Sequence, residues 1–244
     1  MHPVIRNRDC CIKSSALAIE IAKKTGARIH IMHLSTKDEV NMLAEYMYGD
    51  VVTRQISAEA CIPHLCFSDF DYQRKGAYLK CNPSVKYEID RRALVNGLEK
   101  GIITTVATDH APHEKAAKEG TYFKCASGLP SVQFSLQSLL ELYKQHEITL
   151  ETIAKVTSTN VAKRFHIKDR GAIKEGYFAD LAIVNLSERN TVCEDDIASK
   201  CKWSPFTGET FSSKIVHTIV NGELVVKDSK IVSDAKGMAL EFDR

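Results

Sequence analysis

"RIHIMHLSTKDEVNMLAEYMY", residues 28–48, reads as one strand followed at once by one helix. "RIHIMHL" is a strand-length apolar run. Thr36, followed three residues later by Glu39, has the pattern of a capping box, and "EVNMLAEYMY" (39–48) continues as the helix that the box starts. The same alternation extends in both directions. Upstream, "SSALAIEIAKKTGA" (14–27) has Leu17 and Ile21 at helical spacing, serines to cap its start and Gly26 to stop it. Downstream, "VVTRQIS" (51–57) reads as a strand, "DRRALVNGLEK" (90–100) as a helix, "GIITTVAT" (101–108) as a strand and "SVQFSLQSLLELYKQH" (131–146) as a long helix. Strand alternating with helix at this spacing predicts an α/β fold on a parallel sheet.

The last third differs. From Gly171, "GAIKEGYFADLAIVNL" (171–186) and "KIVHTIVNGELVVKDSKIV" (214–232) are short β-branched runs separated by glycine and polar turns, with "NGE" at 221–223 as a hairpin turn. The chain is therefore expected to divide into residues 1–167 and 168–244.

With 244 residues the chain can bury a sizeable core. It is 44% hydrophobic and 26% charged, the balance of a globular protein rather than a disordered one. A formal net charge of +2, with no basic stripe interleaved with aromatics, gives no argument for nucleic acid as a partner. Apolar runs are strand-length, and "MHPVIRNRDCC" lacks the apolar stretch of a secretory signal, so no membrane partner and a cytoplasmic location are expected. None of the eight cysteines forms a C-x-x-C pair, which leaves a zinc ribbon or redox pair unsupported; they are read as free, buried thiols.

Chemistry in a parallel α/β fold gathers where strands end. Two such ends carry it here: "RIHIMHL", and "ATDHAPH" at 107–113. His30 and His33 are three residues apart, so a regular strand points them to opposite sides. His33, at the end, is the candidate for the interior, and His30 is expected against the helices. Asp109 reads either as a turn cap beside Pro112 or as a metal ligand. With His33 it forms a carboxylate and imidazole pair suited to zinc or a similar divalent ion. Two ligands are fewer than the three a catalytic zinc keeps. His110 is read as support for the site, and Trp203, the sole tryptophan, as a core anchor. His64, His146, His166 and His217 have no partner pattern.

"HIMHLSTKDE", "KCNPSVK", "ATDHAPH", "CASGLPSVQ", "WSPFTGETF" and "VNGELVV" stand in an order and spacing that resembles dihydroorotase of the amidohydrolase superfamily. "HPVIRNRDCCIKSSALAIEIA" also resembles that family's segment leading into its sixth barrel strand. The resemblance implies the C-terminal half of a (β/α)8 TIM-like barrel, strands six to eight, followed by part of a small β-sandwich. The family's His-x-His and arginine of the first strand, its lysine carbamate or aspartate of the fourth and its histidine of the fifth are absent here. The chain is thus expected to be truncated and inactive alone.

By the same resemblance His33 binds the second metal of a binuclear zinc site, and Asp109 is both metal ligand and catalytic base, then acid. Asn82 and His113 hold the carboxylate and ring edge of dihydroorotate, and the backbone of Ser127 and Gly128 contacts the ring. The implied reaction is reversible hydrolysis of dihydroorotate to N-carbamoyl-aspartate in pyrimidine synthesis. A homodimer and aspartate transcarbamoylase are the implied protein partners. Gln133 stands where many relatives have glutamate, and Ser127 where a larger residue is common. Allantoinase or dihydropyrimidinase chemistry is the alternative within the superfamily. A non-catalytic scaffold is the alternative outside it, and it would need none of His33, Asp109, Asn82 or His113.

Overall fold

A computed structural model describes residues 1–234 and 237–243. A short helix α1 (His2–Ile5) leads into α2 (Arg8–Thr25). The α2 cap is the side chain of Asn7, which accepts from the Cys10 amide at 3.1 Å, so Ser14 and Ser15 lie inside the helix rather than at its start. Gly26 ends it at φ +72°, a left-handed stop open to glycine at no steric cost. The buried face is also not the expected one. Ser15, Ile19 and Ala22 face inward, while Leu17 and Ile21 are 58% and 51% exposed. Ser15 is held inside by a 2.6 Å bond to Glu39, a partner 24 residues away.

Strand β1 (Ile29–Leu34) and helix α3 (Lys37–Leu43) meet at the predicted capping box. Buried Glu39 accepts from the Thr36 amide at 3.0 Å and from the Ser35 amide at 3.1 Å, and donors otherwise orphaned at the helix start are satisfied. After α3 a 3-10 turn closes the segment at Tyr46.

Strand β2 is Ile56–Cys61, not 51–57. Val51, Val52 and Thr53 are β-branched, but Asp50 turns the chain there: its side chain accepts from the Val52 amide at 2.9 Å and its carbonyl from the Thr53 amide at 3.0 Å. Beyond β2 come α4 (Ile62–Cys66), α5 (Tyr72–Lys75), α6 (Glu88–Glu99) and β3 (Thr105–Ala107). The three strands form a parallel sheet in the order β1-β2-β3. All six residues of β2 are buried, as befits the centre of a parallel sheet. Ile56, Ala58 and Ala60 join Val40 and Leu43 of α3 and Leu94 and Leu98 of α6 in one core.

Helices α7 (Ser135–Lys144), α8 (Leu150–Ala154) and α9 (Asn160–Phe165) follow, the last two joined by a π-turn over 155–159. The sequence pattern did not reveal α8 and α9. Helix α9 ties the strand starts together. Arg164 donates to the carbonyls of Arg54 (3.1 Å) and Ile29 (2.9 Å), and Asn160 donates to that of Thr104 (2.9 Å).

The rest of the chain is antiparallel: β4 (Leu181–Asn185), β5 (Asn190–Thr191), β6 (Thr210–Phe211), β7 (Lys214–Val220), β8 (Glu223–Lys227) and β9 (Lys230–Ile231). Four of these form a sheet in the order β4-β7-β8-β9, and β5 pairs with β6. Asn221 and Gly222 both have positive φ, as a tight hairpin between twisted strands requires. The segment between β5 and β6 packs back on the first unit, with the Phe206 ring on Phe67 at 5.1 Å and Trp203 buried against Tyr78. All eight cysteines are free. Cys61, Cys81, Cys125 and Cys201 are buried as expected, but Cys10 and Cys193 are exposed. Arg164→Ala should lower unfolding free energy by about 2–3 kcal/mol, the value of hydrogen bonds to a buried charged donor. Thr36→Ala should cost about 1 kcal/mol, the value of a helix cap. Urea unfolding of the two variants checks both size and order.

Candidate active site

The two faces of the parallel sheet differ in chemistry. Ile29, Ile31, Ile56, Ala58 and Ala60 alternate onto the helix side, which leaves His30, Ser57, Glu59 and Thr105 on the other. His30 therefore lies on the sheet face opposite the Ile29, Ile31 and Ala58 side chains, where, among the described residues, its one ring contact with a helix is with Phe165 of α9. Its Nδ1 is 2.8 Å from Ser57 Oγ and its Nε2 3.4 Å from both Glu59 Oε2 and Thr105 Oγ1, with the Phe165 ring edge-on at 5.4 Å. The sequence reading missed Glu59. Its signal is the alternation Ser57, Glu59 within a buried strand, hidden when the strand is placed at 51–57.

His33 breaks the parity that a regular strand would impose. Ile31 pairs with Ala58 and Leu34 with Ala60, so β1 holds one residue more than β2 over this interval. The bulge lets Leu34 return fully to the core while His33, at φ +41°, lines a cleft of about 380 Å³ together with Asn82, Arg6, Cys10 and Glu39. Asp109, just beyond β3, has φ +48°. A left-handed backbone is uncommon in residues other than glycine, and it collects at functional sites. Both side chains are half-buried, and neither makes a hydrogen bond among the described residues. Asp109 lies close enough to the buried thiols of Cys61 and Cys81 to push both further up, beyond the dominant effect of burial.

His113, Ser127 and Gly128 form a second cluster. The His113 ring donates Nε2–H to the Ser127 carbonyl at 3.1 Å, which leaves Nδ1 for another partner. Gly128 sits at φ +147°, and a Cβ there would lie 2.6 Å from Ala111 Cβ and 2.9 Å from the His113 ring. The close approach this glycine allows is that of the chain's own His113. His110 is exposed; its Nδ1 accepts from the Val132 amide at 3.3 Å, tying the "DHAPH" turn to the 129–132 segment, and Ala111 donates to the Leu129 carbonyl at 2.9 Å. Trp203 Nε1 donates to the His113 carbonyl at 2.7 Å, so the core anchor also steadies the turn. Gln133, where the pattern departs, bonds the backbone of Asp196 and Ala198.

Asn82 is exposed, following the buried segment Lys80–Cys81. Its neighbour Pro83 accepts from His64 Nε2 at 2.9 Å. His64 is buried, and desolvation, against that hydrogen bond and with Lys86 and His33 nearby, lowers it to about 4. Its ring is neutral at pH 7 and serves to hold the segment that carries Asn82.

The fit to a metal is partial. An unbonded imidazole and an unbonded carboxylate at strand ends are the donor types a zinc-like ion takes. Among the described residues, however, no group of three or more His, Cys, Asp or Glu side chains converges.

The model of the amidohydrolase family matches residues 10–225. An allantoinase of Bacillus velezensis is 35% identical over 212 residues, which is 86% of this chain and 46% of that protein. A dihydroorotase of Aquifex aeolicus is 33% identical over 208 residues, 85% and 48% of the two chains. Among solved structures, an L-hydantoinase (dihydropyrimidinase) from Arthrobacter aurescens superposes with a TM-score of 0.82 at 25% identity, covering 91% of this chain and 50% of its own. A D-hydantoinase does so with a TM-score of 0.86 at 19% identity, covering 97% and 54%. The chain spans about half the length of the curated relatives it matches. By its family model and by these relatives, the chain belongs to the amidohydrolase family.

Proposed function

We propose that this chain carries one part of the active site of a dihydroorotase, with His33 and Asp109 as metal ligands. The observation that carries the reading is the pair itself: an imidazole and a carboxylate, each at a strand end, each on left-handed backbone and each without a side-chain hydrogen bond among the described residues. Members of the amidohydrolase family are generally metal-dependent, commonly on zinc. The remaining ligands would come from outside the 244 residues. Among the described residues no helix is long and apolar enough to cross a membrane.

A divalent ion bound there supplies Lewis acidity, making water acidic and the amide carbonyl electrophilic. The chain's own residues do the rest. Asp109 takes the proton from the attacking water and returns it to the departing ring nitrogen, the work of one carboxylate held beside both. Asn82, in the cleft with His33, donates its amide to the substrate carboxylate or ring edge. His113, having committed Nε2–H to Ser127, keeps Nδ1 for the substrate. Ser127 and Gly128 offer backbone to the ring of the substrate.

The 35% identity to an allantoinase favours a second reading, the opening of allantoin by the same chemistry. The two separate in an assay of the zinc-loaded chain reconstituted with the N-terminal half of a dihydroorotase: dihydroorotate is opened and allantoin is not. Turnover of allantoin alone would establish the second reading instead. In the same preparation Asp109→Asn should lower kcat by about 10²- to 10⁴-fold, the range for a lost proton-transfer group. His33→Ala should lower bound zinc per chain, measured by elemental analysis. Gly128→Ala should displace His113, raising KM and costing about 1–3 kcal/mol of stability through backbone strain. Unchanged KM in that variant would remove Gly128 and His113 from substrate binding.

A further inference from the structure

Lys118 is 1% exposed, and among the described residues its ammonium is not paired with a carboxylate. It donates instead to three carbonyls: Lys80 at 3.0 Å, Ala126 at 2.9 Å and Gly128 at 2.9 Å. An ammonium has three N–H donors, so this arrangement is saturated. The Trp203 ring lies over the same nitrogen at 5.7 Å from its centroid, and Trp203 in turn holds the His113 carbonyl. The Gly128 amide returns a bond to the Lys80 carbonyl at 2.9 Å. The segments meeting on this one nitrogen lead to Asn82, to His113 and to Ser127–Gly128.

We propose that Lys118 is a positioning residue for substrate binding, a buried cation whose three N–H bonds fix the Lys80–Asn82 segment against the 126–128 loop, with the "DHAPH" turn held to the same nitrogen through Trp203. The assignment of those segments to substrate rests on the function proposed above; the placement itself does not. Burial is costly for the charged form and lowers Lys118 to about 8, with Lys80 acting in the same direction and Cys125 and Cys81 acting against it. Those three are the titratable groups that face it from the loop and from the Lys80–Asn82 segment. A neutral amine keeps two donors, so deprotonation leaves one carbonyl unserved. The folded value lies below that of free lysine, so the folded state binds fewer protons in that interval and global stability rises with pH there. Loosening of the loop is thus separable from unfolding.

Trp203, the chain's one tryptophan, reports on the site. In the 244-residue chain its emission should step with a midpoint near pH 8, with far-UV circular dichroism constant, and amide protection at Ala126 and Gly128 should fall through the same midpoint while that of β2 holds. Lys118→Met and Lys118→Arg should both abolish the step; if the methionine variant does not fold, the arginine variant and the wild-type exchange data decide. In the reconstituted enzyme KM should rise about tenfold above that pH with kcat unchanged, the cost of one hydrogen bond to a charged group. An emission and protection profile flat from pH 6.5 to 9.5, or a step that persists in Lys118→Arg, would overturn the proposal. A clear step in a protein that does not act on dihydroorotate would leave the placement standing and remove the functional reading instead.

Discussion

The strand Ile56–Cys61 is buried on both sides, and the rest of the structure is arranged around that burial. A strand at the centre of a parallel sheet has no solvent face, so every second side chain needs a partner of its own kind. Ile56, Ala58 and Ala60 find the helices; Ser57 and Glu59 find His30 and Thr105. Because all three strands run in one direction, their ends open on one side. Arg164 and Asn160 tie the other end, closing the strand starts with side-chain donors to three backbone carbonyls. Rigidity at the starts and irregular backbone at the ends is a division that suits a site built on strand ends.

Strain marks those ends. His33 and Asp109 adopt a conformation that costs a non-glycine residue roughly 1–3 kcal/mol. Such a cost persists only where the surroundings over-determine it. For His33 the determinant is Leu34, wholly buried in the core next to it. For Asp109 it is the turn that follows, pinned through Ala111 and His110 to residues 129–132 and through Trp203 at the His113 carbonyl.

Local signals were legible in the sequence, and distant ones were not. The capping box at Thr36 and Glu39, the stop at Gly26 and the Asn221–Gly222 turn depend on neighbours within a few positions, and each stands where the residues placed it. The register of the second strand depended on burial and on Asp50 as a turn former, which outweighed three β-branched residues. Ser15 rather than Leu17 faces inward because its partner, Glu39, belongs to another helix. His33 and Asp109 could be placed at strand ends from the sequence, because each closes a strand-length apolar run. His64 and Lys118 could not, because their partners are backbone carbonyls of Pro83, Lys80, Ala126 and Gly128, and a carbonyl has no letter of its own in a sequence.

The bulge in β1 separates two demands that a regular strand would confuse. Two residues lie between Ile31 and Leu34 where the neighbouring strand has one between their partners. With a single residue there, Leu34 would still alternate back into the core, and the sheet would keep its packing. The histidine would then occupy an ordinary extended position. Folding alone therefore exerts no pressure to retain the extra residue. An insertion between two core positions, which the packing does not need, is thus what sets His33 apart from an ordinary strand histidine.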